Sequence, residues 1–229
     1  MLEVCYIERM GKRGPKPKRV VSEKWSPELA YALGLLATDG CLSRRDYLID
    51  LTSKDKEQLY NFSKCLGRPF HIGRKKSGAG NTSYRVQFKN VYFYNFLLSL
   101  GFTPAKSKTL GALKIPDRYF FDFLRGVFDG DGSVHSYYDQ RWASSFMFYT
   151  LFASASEPYV RWLQEQIYRM MAVKGHITKA KGSSIFQLKF AKKDSLALLP
   201  RMYHSPRVVC LSRKRLKIEK MLGIVGRFL

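Results

Sequence analysis

Two short segments of the chain end in aspartate followed by glycine, and they repeat each other. Residues 30–40 read AYALGLLATDG and residues 122–132 read DFLRGVFDGDG, so Asp39 and Asp131 occupy equivalent positions 92 residues apart. Each aspartate follows a mainly apolar run and precedes a glycine, which is typical of the C-terminal end of a helix. The two segments are therefore predicted to be helices that each end in a carboxylate.

Small residues recur along one face of each predicted helix. Gly34 and Thr38 are four residues apart in the first, and Gly126 and Gly130 are four apart in the second. Two helices with so little side-chain bulk can pack with their backbones almost touching, which makes Gly34 and Gly126 the predicted interface. Both helices then end at the same level. Two carboxylates brought together at negative helix ends repel each other unless a cation lies between them, and oxygen ligands favour Mg²⁺.

Asp-Gly is also common at ordinary helix ends and in turns, so a single copy would carry little weight. Two copies at the spacing of a domain, each followed by the same order of predicted elements, weigh against that interpretation. An EF-hand calcium loop that begins at Asp129 is excluded, because its sixth position is Val134 and its twelfth is Gln140.

The elements that must position these aspartates follow the order αββαββα twice. Apolar periodicity and turn residues predict an α+β protein of two such repeats related by a pseudo-twofold axis. In the first half we expect helices at 27–39, 54–65 and 91–100 and strands at 47–52, 69–76 and 84–89. In the second half we expect helices at 119–130, 157–171 and 195–203 and strands at 133–138, 146–152, 175–181 and 185–190.

These repeats divide the chain into two halves with a linker and two basic extensions. The predicted boundaries are 1–21 for the N-terminal extension, 22–102 for the first half, 103–117 for the linker, 118–204 for the second half and 205–229 for the C-terminal extension.

The two motifs, with the elements that follow them, resemble the LAGLIDADG homing endonucleases in their single-chain, two-motif form, over residues 22–218. The first motif departs from the usual run because Ala37 stands where the second has Asp129. The resemblance implies that the motif helices pack at the domain interface and that two antiparallel β-saddles face DNA. It also implies a Mg²⁺-dependent enzyme that makes a staggered double-strand break.

A divalent-metal site and two lysines follow from this resemblance. The metal site is assigned to Asp39 and Asp131 with Thr38 and Gly130 beside them, and Mn²⁺ or Ca²⁺ are other ions that such a site accepts. The family's lysine after the last strand of each half aligns with Lys89 and with Lys192, with Lys193 left open as its alternative. The predicted catalytic residues are Asp39, Asp131, Lys89 and Lys192.

Composition supports a polyanionic partner. Forty Lys and Arg residues against 18 Asp and Glu give a formal charge of +22, an excess typical of nucleic-acid binding. The strands at 84–89 and 185–190 alternate apolar with polar or basic residues, which favours a ribbon in the major groove, while a merely solvated sheet face is the alternative. The predicted DNA-binding residues are Arg74, Lys75, Lys76, Arg85, Gln87, Lys179, Lys181, Gln187 and Lys189.

The sequence thus predicts a monomer with no obligate protein partner and no membrane segment, located inside the cell with its DNA. Two domains side by side would cover roughly 20 base pairs of a weakly palindromic target. The basic segment 12–19 is either a minor-groove arm or a nonspecific tail. The alternative function is a noncatalytic nucleic-acid binder of the same fold, such as a maturase that binds intron RNA or a DNA-binding regulator.

Overall fold

The computed structural model describes residues 17–76, 80–142 and 144–229. Most of the predicted N-terminal extension, including most of the basic segment 12–19, lies outside the described residues. The first repeat contains α1 (Pro27–Asp39), β1 (Gly40–Leu42), β2 (Leu48–Ser53), α2 (Lys56–Cys65), β3 (Ile72–Lys76), β4 (Thr82–Lys89) and α3 (Val91–Ser99). The second contains α4 (Phe120–Asp131), β5 (Ser133–Tyr138), β6 (Phe146–Ser154), α5 (Glu157–Met171), β7 (His176–Lys179), β8 (Phe186–Phe190) and α6 (Lys192–Met202), and α7 (Ser212–Ile224) follows.

Each repeat builds one four-stranded antiparallel sheet. The strand order is β1-β2-β4-β3 in the first sheet and β5-β6-β8-β7 in the second. The identical order confirms the predicted duplication and the α+β class. Strand β1 was not predicted because its three residues are too few to show an alternation.

Helix α1 begins where its capping residues predict. The Ser26 hydroxyl accepts from the Leu29 amide at 3.1 Å, and Pro27 is the first helical residue. Every residue from Leu29 to Ala37 is buried. The helix is apolar on all sides because it lies between α4 and the rest of its own half, so no side of it faces water.

The two motif helices pack through their glycines, as predicted. A Cβ added to Gly34 would collide with the Phe123 carbonyl and lie 2.7 Å from the Val127 amide nitrogen. One added to Gly126 would collide with the Tyr31 carbonyl. The backbones are therefore in contact, which places the C-terminal ends of α1 and α4 side by side.

The segment after residue 204 is not a simple extension. The Arg125 side chain, only 2% exposed, donates to the Met202 carbonyl at 2.6 Å and to the Val209 carbonyl at 2.9 Å. The Asn61 amide donates to the Cys210 carbonyl at 2.9 Å. Residues of both halves therefore hold this segment, and α7 follows it as a part of the fold that the sequence did not predict.

Among the described residues, no helix has both the length and the apolar character needed to cross a membrane.

Candidate metal centre and nucleic-acid interface

Asp39 and Asp131 are the last residues of α1 and α4. Burial raises the pKa of both carboxyls, and repulsion from Asp39 raises the pKa of Asp131 further. The charge of Asp39 therefore acts on Asp131, as the packing of the helices predicts.

A hydrogen-bonded chain fixes one of the two carboxylates. The Gln58 side-chain amide donates to Asp39 Oδ2 at 2.8 Å, and its oxygen accepts from the Ser53 hydroxyl at 2.8 Å. In the second half the matching third position of the helix holds Tyr159, whose buried hydroxyl has no hydrogen-bond partner among the described residues. The two halves thus support their aspartates differently.

Two lysines outside the predicted catalytic and DNA-binding residues hold the ends of the motif helices. The Lys106 ammonium donates to the carbonyls of Ala37 at 2.8 Å and Thr38 at 2.9 Å. The Lys214 ammonium donates to the carbonyls of Phe128 at 2.6 Å, Gly130 at 3.1 Å and Gly132 at 2.7 Å. Each cation therefore satisfies terminal carbonyls and lies at the negative end of a helix dipole.

Burial governs the protonation of these lysines. It lowers the pKa of Lys106 and of Lys214 to about 8. Nearby carboxylates favour the charged form, those of Asp131 and Asp39 for Lys106 and that of Asp129, followed by Asp39 and Asp131, for Lys214. The centre thus combines two carboxylates with two ammonium groups. No motif marks either lysine, since Lys106 lies in the predicted linker and Lys214 in the predicted C-terminal extension.

A cavity of about 340 Å³ opens beside this centre. Thr38, Lys106, Asp131 and Ser154 contribute polar groups to its lining, and Ala37 and Leu110 contribute apolar ones. A charged substrate group that enters the cavity would meet a carboxylate and an ammonium together.

The donors at the helix ends fit a hard divalent cation in part. Asp39 and Asp131 offer carboxylate oxygens only, which is the ligand type that Mg²⁺ prefers. The carbonyls of Thr38 and Gly130, however, already accept from the two ammonium groups. Within the described ranges, no three His, Cys, Asp or Glu residues cluster closely enough to bind a metal by themselves. The remaining ligands would have to be water or substrate oxygens.

The structure corrects the placement of both predicted catalytic lysines. Lys89 lies opposite Leu48, about 10 Å along the strand from Leu51, which is opposite Gly40. Its ammonium instead pairs with Asp46 at 2.8 Å.

The other predicted lysine is also distant. The Lys192 ammonium donates to the Phe146 carbonyl at 2.9 Å. Phe146 is opposite Tyr138, about 17 Å along the strand from Leu151, which is opposite Ser133 near Asp131. Neither lysine joins the aspartates. Strands β1 and β5 begin directly after the motif helices and lead away from them, and both lysines lie level with the far ends of these strands.

The sheets place the predicted DNA-binding residues on two faces. We call the face turned away from the buried Val86 or Leu188 the outward face of each sheet. Strand alternation and register put Lys75, Arg85, Gln87, Gln187 and Lys189 on these faces. Arg74, Lys76 and Lys179 belong to the opposite face, where the Lys179 ammonium lies 4.4 Å from the centre of the Phe186 ring. Lys181 is exposed in the turn before β8.

Contacts on the outward faces differ between the halves. The Gln87 amide donates to Asp50 Oδ2 at 2.5 Å in the first sheet. The Lys189 ammonium lies 3.9 Å from the centre of the Tyr149 ring in the second. The first face therefore holds polar side chains in place, and the second holds its cation against an aromatic ring.

Solved structures with the same architecture include proteins with two such repeats. The chain is similar to the N-terminal LAGLIDADG domain of DUF199/WhiA, at 17% identity and a TM-score of 0.54 over 88% of this chain and 91% of that one. It is similar to the homing endonuclease I-WcaI bound to its DNA recognition sequence, at 14% identity and 0.58 over 90% and 95%. It is also similar to I-DmoI in complex with DNA and Mn, at 14% and 0.52 over 78% and 97%.

No protein-family model matches the chain, and no curated protein matches it in sequence. At these identities the likeness establishes the fold. The chain has the LAGLIDADG fold in its two-repeat form, as its paired motifs predicted.

Proposed function

We propose that this protein is a site-specific DNA endonuclease that makes a staggered double-strand break with a divalent cation, Mg²⁺ foremost. The observation that carries the proposal is the meeting of Asp39 and Asp131 at the shared end of two helices in backbone contact, beside an open cavity. Solved structures of the same fold with DNA, and with DNA and Mn, support it.

Four residues of the centre have a part in this proposal. Asp39 and Asp131 hold the cation, and Gln58 keeps the Asp39 carboxylate turned toward it. When bound, the cation supplies a polarised water for in-line attack and stabilises charge on the leaving oxygen. The Lys106 ammonium, which lines the cavity with Asp131, stabilises the negative charge of the phosphate.

The outward faces supply the DNA-binding surface of the proposal. They are related by the same repeat that relates the two aspartates, so a duplex that lies across both would place its backbone over the centre. Arg85, Gln87, Gln187 and Lys189 reach base edges, and the other cations contact phosphates. A monomer that covers roughly 20 base pairs, intron RNA as a second ligand and a location with cellular DNA stay predictions.

One observation favours a second function, a noncatalytic DNA-binding protein. The ammonium groups of Lys106 and Lys214 already occupy the carbonyls of Thr38 and Gly130. They also bring two positive charges beside the two carboxylates, so the helix ends are stabilised without a metal ion.

The experiment that tests the proposal separates binding from cutting. Duplexes that the full chain retains from a randomised library in EDTA are incubated with the protein in Mg²⁺ or Mn²⁺, and their ends are sequenced. We expect staggered cuts in both strands, abolished in Asp39→Asn and Asp131→Asn, whose affinity for the duplex is kept. Asp46→Asn, which changes an exposed aspartate paired with Lys89, is the matched control and should cut normally.

Two results would contradict the proposal. Continued cutting by Asp39→Asn or Asp131→Asn would show that these two carboxylates do not hold the catalytic metal ion. Tight and selective binding by the wild-type chain, without cutting in either metal ion, would establish the noncatalytic alternative.

A further inference from the structure

The central strand of the second sheet presents an apolar row on its outward face. Its outward positions are Met147, Tyr149, Leu151 and Ala153, and all four are partly exposed. The alternate residues from Phe146 to Phe152 are buried, which fixes the direction of the row away from the core. No residue of the row carries a formal charge, although 25% of the chain is charged.

The equivalent strand of the first sheet is polar. Asp50 is paired with Cys41, two residues after Asp39, and Leu151 is paired with Ser133, two residues after Asp131. Asp50 and Leu151 therefore hold equivalent places, as do Thr52 and Ala153. The two outward faces thus offer different chemistry to whatever lies across them.

Aromatic rings flank the apolar row. Tyr137 of β5 stacks on Tyr149 with ring centroids 6.2 Å apart, and His135 lies 5.7 Å from Tyr137. Lys189 covers the other side of Tyr149. Because the faces of these rings are covered by their neighbours, the exposed surface consists mainly of ring edges and of the aliphatic side chains of the row.

We infer that this row reads the thymine C5-methyl groups in one half of the DNA target, while the first sheet reads its half through hydrogen bonds. The inference rests on the proposed binding of DNA by the two sheets. In the major groove thymine alone presents a methyl group, and apolar side chains make contact with it. A cytosine amino group or guanine carbonyl against Leu151 would lose its hydrogen bonds to water without a replacement.

Charge favours duplex DNA over an apolar partner on this face. Lys189 lies beside the row, Lys181 is exposed at the turn before β8, and the chain carries +22 overall. A second protein with an apolar surface would have to bury these cations, whereas in a major groove the phosphates pair with Lys181 and the base edges accept from Lys189. The row fits between phosphate contacts, where the base edges lie.

Selection followed by removal of single methyl groups tests the inference. Duplexes retained from a randomised library by the full chain in EDTA are sequenced. They are then resynthesised with deoxyuridine in place of thymidine in one half-site or the other. We expect thymine enrichment in one half-site, and a loss of affinity of about four-fold for each contacted methyl removed there. The same replacement in the other half-site should leave the affinity unchanged.

Variants assign the effect to the row. Leu151→Asn should abolish the sensitivity to uracil, and Met147→Thr, a milder change, should weaken it if the first variant fails to fold. Asp50→Asn is the matched control at the equivalent position of the first sheet. It should keep the sensitivity and alter base preference in the opposite half-site.

The outcomes separate this inference from the proposed function. If no duplex is retained from the library, both fail. If duplexes are retained but replacement of thymidine changes nothing, or changes affinity only in the half-site that Asp50→Asn alters, the inference fails and DNA binding stands. A dimer that Leu151→Asn dissociates, with unchanged base preference, would make the row a protein interface and also overturn the inference.

Discussion

Replacement of Lys214 by Met removes the cation that holds the end of α4. The side chain is almost fully buried and donates to three carbonyls, at 2.6, 2.7 and 3.1 Å. Each hydrogen bond from the ammonium contributes about 1.5–3 kcal/mol, while the lost desolvation of the ammonium offsets about 3 kcal/mol of the total. The variant should therefore lose roughly 2–6 kcal/mol, with the lower part of that range favoured because the Phe128 carbonyl keeps the Gly132 amide as a second donor. Its Tm should fall by about 4–20 °C at this chain length.

Thermal unfolding in EDTA, followed by circular dichroism, measures this loss without a contribution from bound metal. The Lys106→Met variant loses two hydrogen bonds to carbonyls, so its Tm should fall by a smaller amount. Lys220→Met on the same helix and Lys108→Met in the same turn change exposed lysines, so both should stay within about 0.5 kcal/mol of wild type. If Lys214→Met unfolds at the same temperature as its control Lys220→Met, the Lys214 ammonium does not stabilise the end of α4, which would refute the role given to it here.

Two further predictions concern the motif helices. Gly126→Ala should destabilise the chain by more than about 3 kcal/mol in urea unfolding, because its Cβ would meet the Tyr31 backbone; Gly223→Ala, where a Cβ meets nothing within 4 Å, is the control and should not destabilise it. Asp129 accepts from the Tyr31 hydroxyl at 2.8 Å and the Leu211 amide at 2.7 Å, and burial raises its pKa to about 6. Because the folded state binds the Asp129 proton more tightly than the unfolded state, this group contributes its full stability below the unfolded pKa near 4. The contribution is lost as the pH rises through the folded pKa of about 6. The stability of wild type relative to Asp129→Asn should therefore fall by on the order of 3 kcal/mol between pH 4 and pH 7, and a constant difference would contradict the burial of this charge.

Local signals in the sequence were sufficient for the parts of the fold that are encoded locally. The Ser26-Pro27 start of α1, the glycines that let the helices touch and the order of elements in each half were all predictable. Each depends on the residue itself or on its near neighbours. The repeat added the long-range information, because two equal segments must lie in equivalent places around a pseudo-twofold axis.

The lysines of the centre could not be found in this way. Alignment with strand ends predicts Lys89 and Lys192, yet Lys89 lies about 10 Å along its strand from the motif level, and the Phe146 carbonyl that Lys192 contacts lies about 17 Å along β6. Lys106 and Lys214 reach the helix ends from segments that have no regular pattern, a turn in the linker and a helix after the second repeat. With 40 cationic residues in the chain, type alone does not single out any lysine.

The asymmetry of the centre also arises from side chains that the repeat does not determine. Repeats constrain backbone position more strongly than side-chain identity, so α2 and α5 start at equivalent places but bring Gln58 to one aspartate and Tyr159 toward the other. The same holds for the sheets, where Asp50 and Leu151 share a position and differ in chemistry. A duplicated fold can thus keep its two motif carboxylates equivalent while each half acquires its own supporting residues and its own surface, so a target read by the two halves has no physical reason to be palindromic.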